Sequence, residues 1–462
     1  MTQPTAKRQA TRAEPEAAAD PAQTGPLDWT ELWYPVAFVQ DLPLDRPSAV
    51  SIHDRPLVLH RDENGSWACA LDRCPHRLAR LSDGRLHAGK LECLYHGWQF
   101  SAAGRCVHIP QLPAGQQAPS KAELQTYLVV ERQGLLWVWL GDRGRADPET
   151  IATIEELDDP EVSSTDFMMD LPYEQSYLVE NVLDVAHIHV AHDGMRGGGL
   201  RRHAKPLEFA FDSYSRDGID ASFRTLGMDA SEGPALERAR VGLRGPHLVW
   251  YRSDYVDRSL RSGLALYALP LGAARCRLIY RAYSNFGAKR ILEPRWFRHG
   301  TLCTILEQDM NVVVGQSAWI DSSETPLKDA WLPIKSSDPL VVKYRQWLDE
   351  YGRDLPNHRG FSSTGVPVRS LAQVAKTRSA VNDKQRYLQH TQLCSSCSRM
   401  HRVAVRTHWV GSAATLLLLV GTAWWGQSTA GGLLGVAALL AGALVLTANR
   451  IRLRLERPSL GA

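Results

Sequence analysis

The sequence predicts an α+β protein in three parts: a small antiparallel β domain, a larger α+β domain, and a C-terminal hairpin of two apolar helices. Three observations predict this. Short apolar–polar alternations with Gly-containing turns fill residues 28–145, and helical stretches flank further alternating strands over 146–355. Two charge-free apolar runs, Trp409 to Trp425 and Ala430 to Ala448, close the 462-residue chain. Lysine and arginine exceed aspartate and glutamate by 53 − 50 = 3, so no global field points to nucleic acid. Eight cysteines are too few for a disulfide scaffold at this length and fit a reducing compartment.

Residues 1–27 are rich in Ala, Pro, Thr, Gln and Glu and predict a disordered tail. The tail lacks the apolar run of a secretory signal, and Glu14, Glu16 and Asp20 argue against a transit peptide, which predicts a cytosol-facing or bacterial setting. Order begins with WTELWYPVAFVQDL from Trp29. Arg55 to His60 and Trp67 to Leu71 flank Glu63-Asn64-Gly65, and Tyr127 to Glu131 and Leu135 to Leu140 flank Gln133-Gly134, two hairpin signals.

Between these hairpins lies CPHRLARLSDGRLHAGKLECLYHGW, residues 74–98. It pairs Cys74 with His76 and, after a gap of sixteen residues, Cys93 with His96. Two thiolates and two imidazoles in paired loops suit a 2Fe-2S centre of Rieske type, in which one iron sees only sulfur and the other carries imidazole. The same residue types can hold a structural zinc. Zinc motifs, however, usually put both cysteines in one loop and both histidines in another, whereas each loop here supplies one of each.

In the second domain, Asn181, Asp184 and His187 fall on one side of a helix, at i, i+3 and i+6. His192 lies about 140° further round an ideal helix, so the two histidines share a metal only if that helix is distorted or ends between them. Two imidazoles and a carboxylate make the facial triad of a non-haem Fe(II) site with open positions. Asp309, which interrupts the apolar stripe Leu302, Ile305, Leu306 and Val313, is the candidate carboxylate; the other reading leaves Glu307 and Asp309 on a solvated edge. Residues 205–290 predict antiparallel strands forming a pocket wall. Asp338-Pro339 predicts the start of a packing helix that runs to Tyr351, with Leu340, Val341, Tyr344, Trp347 and Leu348 on one face.

Residues 356–405 predict a surface linker carrying Cys394-Ser-Ser-Cys397. Such a pair can cycle between dithiol and disulfide. It can also be half of a zinc site, with only His390 and His401 nearby, or two inert thiols. Residues 406–450 predict two membrane-spanning helices turning at Gly426 to Thr429. Arg399, Arg402 and Arg406 before them, and Arg450, Arg452 and Arg454 after them, predict both ends on the cytoplasmic side with the catalytic domains. Residues 451–462 form a basic tail.

These stretches together resemble the pheophorbide a oxygenase group of the Rieske non-haem iron oxygenases. The likeness runs through DWTELWYPV, CPHRLARLSDGR with CLYHGWQF, ENVLDVAHIHVAH, QDMNVVVGQ, WLPIKSSDPLVVKYRQWLDEYG, the C-x-x-C pair and the terminal hairpin. The resemblance implies a Rieske domain followed by a helix-grip-like catalytic domain. It implies Cys74, His76, Cys93 and His96 as cluster ligands and His187, His192 and Asp309 as ligands of mononuclear Fe(II). Asp184, with Asn181 beside it, would be catalytic, Asp184 as a carboxylate bridging to a cluster histidine of a neighbouring subunit in a homotrimer. The glycine run after His192 departs from the group's pattern. The implied activity is oxygenation of a lipophilic, chlorophyll-derived tetrapyrrole with electrons from ferredoxin or a reductase. The alternative is a redox-regulated electron-transfer or membrane-complex subunit whose Cys394 and Cys397 sense thiol status, with thioredoxin as a partner.

Overall fold

In the N-terminal domain of the computed structural model, ten strands divide between two sheets. The structure describes residues 25–195, 198–226, 236–286, 293–364 and 386–458. The expected tail therefore lies outside the described residues as far as residue 24, as do residues 459–462. Strands β1 (Trp33–Phe38), β2 (Ser48–Ile52), β3 (Arg55–Arg61), β4 (Trp67–Leu71), β9 (Thr126–Arg132) and β10 (Leu135–Trp139) form the six-stranded sheet, ordered β1-β10-β9-β4-β3-β2. The short strands β5 (Arg85–His87), β6 (Lys90–Glu92), β7 (Gln99–Phe100) and β8 (Cys106–His108) form the other.

Both expected hairpins are present. Gln133 and Gly134 carry β9 into β10 with φ of 52° and 70°, the paired positive angles of a tight two-residue turn. In the β3–β4 turn only Gly65 takes positive φ; Asn64 does not, because the Asp62 carboxylate closes the turn by accepting the amides of Asn64 and Ser66. All of β10 is buried, since Leu136 and Val138 face the first domain's core while Trp137 and Trp139 pack with Met168, Tyr267 and Ile279 of the second. The two domains thus share a core, and Arg277 adds a hydrogen bond of 3.0 Å to the Val36 carbonyl.

The second domain is a seven-stranded antiparallel sheet of β11 (Ser163–Leu171), β12 (Leu207–Ser215), β13 (Gly218–Thr225), β14 (Leu236–Arg244), β15 (Leu248–Tyr255), β16 (Arg261–Gly272) and β17 (Arg275–Ser284). Its order is β11-β17-β16-β15-β14-β13-β12. Helices α1 (Gln175–Leu183), α3 (Arg295–Asp321) and α4 (Pro339–Tyr351) pack into the core on this sheet, and a single turn, α2 (Ile188–Ala191), follows α1. The expected face of α4 is buried as periodicity predicts. Asp338 stands before it, but its carboxylate accepts the Ile334 amide rather than capping the helix. Arg345, on the same helix, is fully buried against Glu180 of α1 at 2.5 Å.

The hairpin consists of α5 (Ser395–Trp425) and α6 (Thr429–Glu456), which reverse at Gly426 with φ of 53°. Both are long and apolar enough to cross a membrane, with mean hydropathies of 1.5 and 2.1 over their most apolar stretches. They approach closely because Gly411 carries no side chain, and a Cβ there would fall 2.7 Å from Val445.

The expected surface linker, 356–405, differs where it is described. His358 and Arg359 are buried, Arg359 donating to the carbonyls of Ile320, Ser323 and Thr325, and residues 386–391 form a turn that buries Arg386, Gln389, His390 and Thr391, with Arg386 pairing with Glu307 at 2.7 Å. Polar composition does not mean exposure when buried carbonyls and carboxylates receive the cations. Cys394 and Cys397 accordingly lie at the start of α5 rather than in a linker.

Candidate active site

Two loops between β4 and β7 repeat one backbone pattern. The Cys74 amide donates to the Ala79 carbonyl and the Cys74 carbonyl accepts the Leu78 amide; Cys93 does the same with Trp98 and Gly97. The fourth residue after each cysteine needs positive φ, 62° at Leu78 and 72° at Gly97. Glycine adopts this readily, whereas leucine does so at a cost. The repeated geometry sets Cys74 and Cys93 in the interior and His76 and His96 at the surface, their rings 4.5 Å apart, with His76 stacked on Trp98. Burial pushes the Cys74 thiol up to about 11 although the His76 amide opposes it. Buried sulfurs and outward imidazoles fit a 2Fe-2S cluster whose histidine-bearing iron faces an electron partner.

The second site forms where α1 stops. The helix ends at Leu183, Asp184 turns extended, and His187 and His192 fall at the two ends of α2. The chain thereby brings together two imidazoles that one continuous helix would hold apart. Asp309 arrives from the middle of α3, buried, its Oδ1 3.1 Å from His192 Nε2 and 3.7 Å from His187 Nε2. The outer nitrogens fix both rings: His187 Nδ1 faces the Asp184 carbonyl at 2.5 Å and His192 Nδ1 faces Gln308 Oε1 at 3.0 Å. These partners keep each Nε2 free to ligate and orient it. Burial opposes a charge on either ring but is outweighed, at His187 by hydrogen bonding to Asp184 and the charge of Asp309 and at His192 by hydrogen bonds to Asp309 and Gln308, so both pKa values lie above the usual imidazole range. A pocket that prefers a positive charge between two histidines and an aspartate fits a divalent metal.

Asp184 has a second role, its carboxylate accepting the Ala186 amide at 2.9 Å and lying 3.6 Å from His187 Nδ1 while part of it reaches solvent. Asn181 is half-buried in the last turn of α1 and, among the described residues, is not one of the groups holding the triad. Glu307 points away from the triad to Arg386, so neither Glu307 nor Asp309 forms a solvated edge. Cys394 and Cys397 lie elsewhere, buried against α3.

Comparison with known proteins places this geometry. Residues 32–127 match the Rieske 2Fe-2S domain and residues 244–326 the pheophorbide a oxygenase model. The chain is 35% identical over 401 residues to the chloroplast protein TIC 55 of Arabidopsis thaliana, covering 81% of this chain and 72% of that protein. It is 31% identical to pheophorbide a oxygenase of rice, covering 80% and 72%. The chain belongs to the pheophorbide a oxygenase family. This oxygenase also shares its fold with dicamba monooxygenase, with a TM-score of 0.54 at 23% identity over 69% of this chain and 96% of that one.

The family's cofactors are the Rieske 2Fe-2S cluster and a mononuclear non-haem iron, and the residues of both sites in the oxygenase fit them. Sequence reasoning missed Gln308, although it directly precedes Asp309. It also missed Tyr251, whose hydroxyl donates to the Val182 carbonyl at 2.5 Å and braces the end of α1. Neither carries a local signal, because each acts on a partner distant in sequence.

Proposed function

We propose that this oxygenase is a membrane-anchored enzyme that uses dioxygen and electrons from ferredoxin or a reductase to oxygenate a chlorophyll-derived tetrapyrrole. The observation that carries the reading is the convergence of half-buried His187 with buried His192 and Asp309, with Nε2 of both rings directed inward by Asp184 and Gln308. Iron bound there supplies a redox-active Lewis acid with open positions for activating dioxygen. The chain's own part is to fix the two imidazoles, supply one buried carboxylate and brace the end of α1 through Tyr251 of the seven-stranded sheet. The partly exposed Asp184 carboxylate supports the role of a link to a cluster histidine of a neighbouring subunit, in a homotrimer. Asn181, one turn earlier, would line the same path.

The hairpin supports the choice of a lipophilic substrate. Leu417, Trp424, Leu439 and Leu440 are exposed on it, an apolar surface suited to lipid. Both of its ends meet the globular part of the chain: at the start of α5 Ser395 donates to the Asp41 carboxylate, and at the end of α6 the Arg454 and Leu455 carbonyls accept from Arg386 and Thr391, which supports one side of the membrane for both ends and for the catalytic domains.

The test is electron paramagnetic resonance and iron analysis of the detergent-purified full chain. Anaerobic titration with pheophorbide a and chlorophyllide a then precedes admission of isotopically labelled dioxygen. A Rieske signal, about three irons per chain and label in a tetrapyrrole product are expected. A cluster without the mononuclear iron would leave an electron carrier and overturn the reading.

A further inference from the structure

A second group of ligating side chains lies where the hairpin meets the catalytic domain. We propose that His299, His390, Cys394 and Cys397 form a structural Zn2+ site that fastens the apolar hairpin to the helix carrying Asp309. The four come from three elements: His299 from the first turns of α3, His390 from the turn at 387–391, and both cysteines from the start of α5. Their ligand atoms all lie within 4.8 Å of one another, and none of the four residues is more than 1% exposed.

Four of the six separations match the edges of a tetrahedron. Zinc bonds of about 2.3 Å to sulfur and 2.0–2.1 Å to nitrogen give edges of about 3.6 Å between N and S and about 3.3 Å between N and N. The observed N–S separations are 3.3 Å (His390 to Cys397), 3.5 Å (His299 to Cys394) and 3.6 Å (His299 to Cys397), and the N–N separation is 3.1 Å.

The outer nitrogens point the same way. His299 Nε2 lies 2.9 Å from the Asp166 carbonyl and His390 Nδ1 2.6 Å from that of Met168, both on β11. A carbonyl can only accept, so each outer nitrogen carries the proton of a neutral ring and each inner nitrogen presents a lone pair. Two inner lone pairs 3.1 Å apart repel unless a cation lies between them. Two thiolates with Zn2+ leave no net charge, which suits so buried a place. Burial also shields both sulfurs from an external thiol, contrary to what a redox-cycling pair requires. His401, the other histidine near the pair in sequence, is instead engaged by Glu456 at 2.9 Å.

The site lies ten residues before Asp309 on α3, about 15 Å along the helix. A metal there fixes the hairpin's position relative to the iron site without taking part in the chemistry.

The test is zinc analysis and zinc K-edge X-ray absorption on the full chain in detergent, prepared with its cluster intact. About one zinc per chain, beside the iron, with a first shell of two sulfurs and two nitrogens is expected. Cys394→Ser and His390→Ala lower zinc to background while the Rieske signal persists, and His401→Ala leaves zinc unchanged. The absorption measurement needs no variant, so a misfolding substitution does not remove the test. Zinc-free wild-type protein with two titratable thiols or a disulfide, or a zinc shell lacking sulfur, would overturn the proposal.

Discussion

Asp309 Oδ1 lies 3.1 Å from His192 Nε2, and the residue beside Asp309, Gln308, holds the far side of the same ring at 3.0 Å. One turn of α3 therefore carries both the carboxylate proposed as an iron ligand and the side chain that orients the His192 ring. Asp309→Ala is expected to reduce iron from about three to about two per chain and abolish oxygen incorporation while the Rieske signal stays intact. Full substrate-dependent oxygen consumption by that variant would sink the triad.

Gln308→Leu removes only the clamp. The His192 ring then keeps its ligating atom but loses the partner that fixes its orientation, which costs roughly 10- to 100-fold in metal affinity or activity. Iron titration of the apo protein checks this, with Gln308→Glu restoring most of the loss because it keeps an acceptor at Oε1.

Arg345 and Glu180 form a buried ion pair behind the same site, and Gln316 adds a hydrogen bond of 2.8 Å to Glu180. Removing only the guanidinium leaves a buried carboxylate without its counter-charge. Arg345→Met is expected to destabilise the catalytic domain by about 3–5 kcal/mol, and pairing it with Glu180→Leu to recover much of that. Denaturant unfolding of the single and double variants separates the two outcomes.

Glu174 precedes α1 and is buried, which raises its carboxyl to about 7 despite hydrogen bonds from Ser176. A carboxyl raised on folding favours the fold when protonated, so its contribution is complete below the unfolded value of 4.5 and is lost as pH rises through about 7. Glu174→Gln removes that loss. The variant should match wild type near pH 4.5 and exceed it above pH 7 by at most about 3 kcal/mol, read as a widening gap in unfolding midpoint.

Leu439 and Leu440 are 76% and 68% exposed on α6. If the hairpin lies in lipid, Leu439→Arg and Leu440→Arg each cost about 2.5–3.5 kcal/mol at the bilayer centre, and the double variant shifts from the carbonate-resistant membrane fraction. Unchanged fractionation would mean that these faces meet protein instead.

The sequence alone determined which side chains the two loops present, because Cys74, His76, Cys93 and His96 are local and their mixed pairing restricts what they can hold. It also determined both hairpins, the apolar face of α4 and the two long apolar helices, since each follows from a short period or turn. Only the tertiary structure decided the rest. His192 joins His187 because α1 breaks at Asp184, and Gln308 matters because α3 lies against that break. His299 meets Cys394 and Cys397 because a histidine remote in sequence faces the start of α5 across a shared interior. Periodicity registers which face of an element is buried, but which remote polar group waits there is set by packing between elements, and that information resides in no single stretch of the chain.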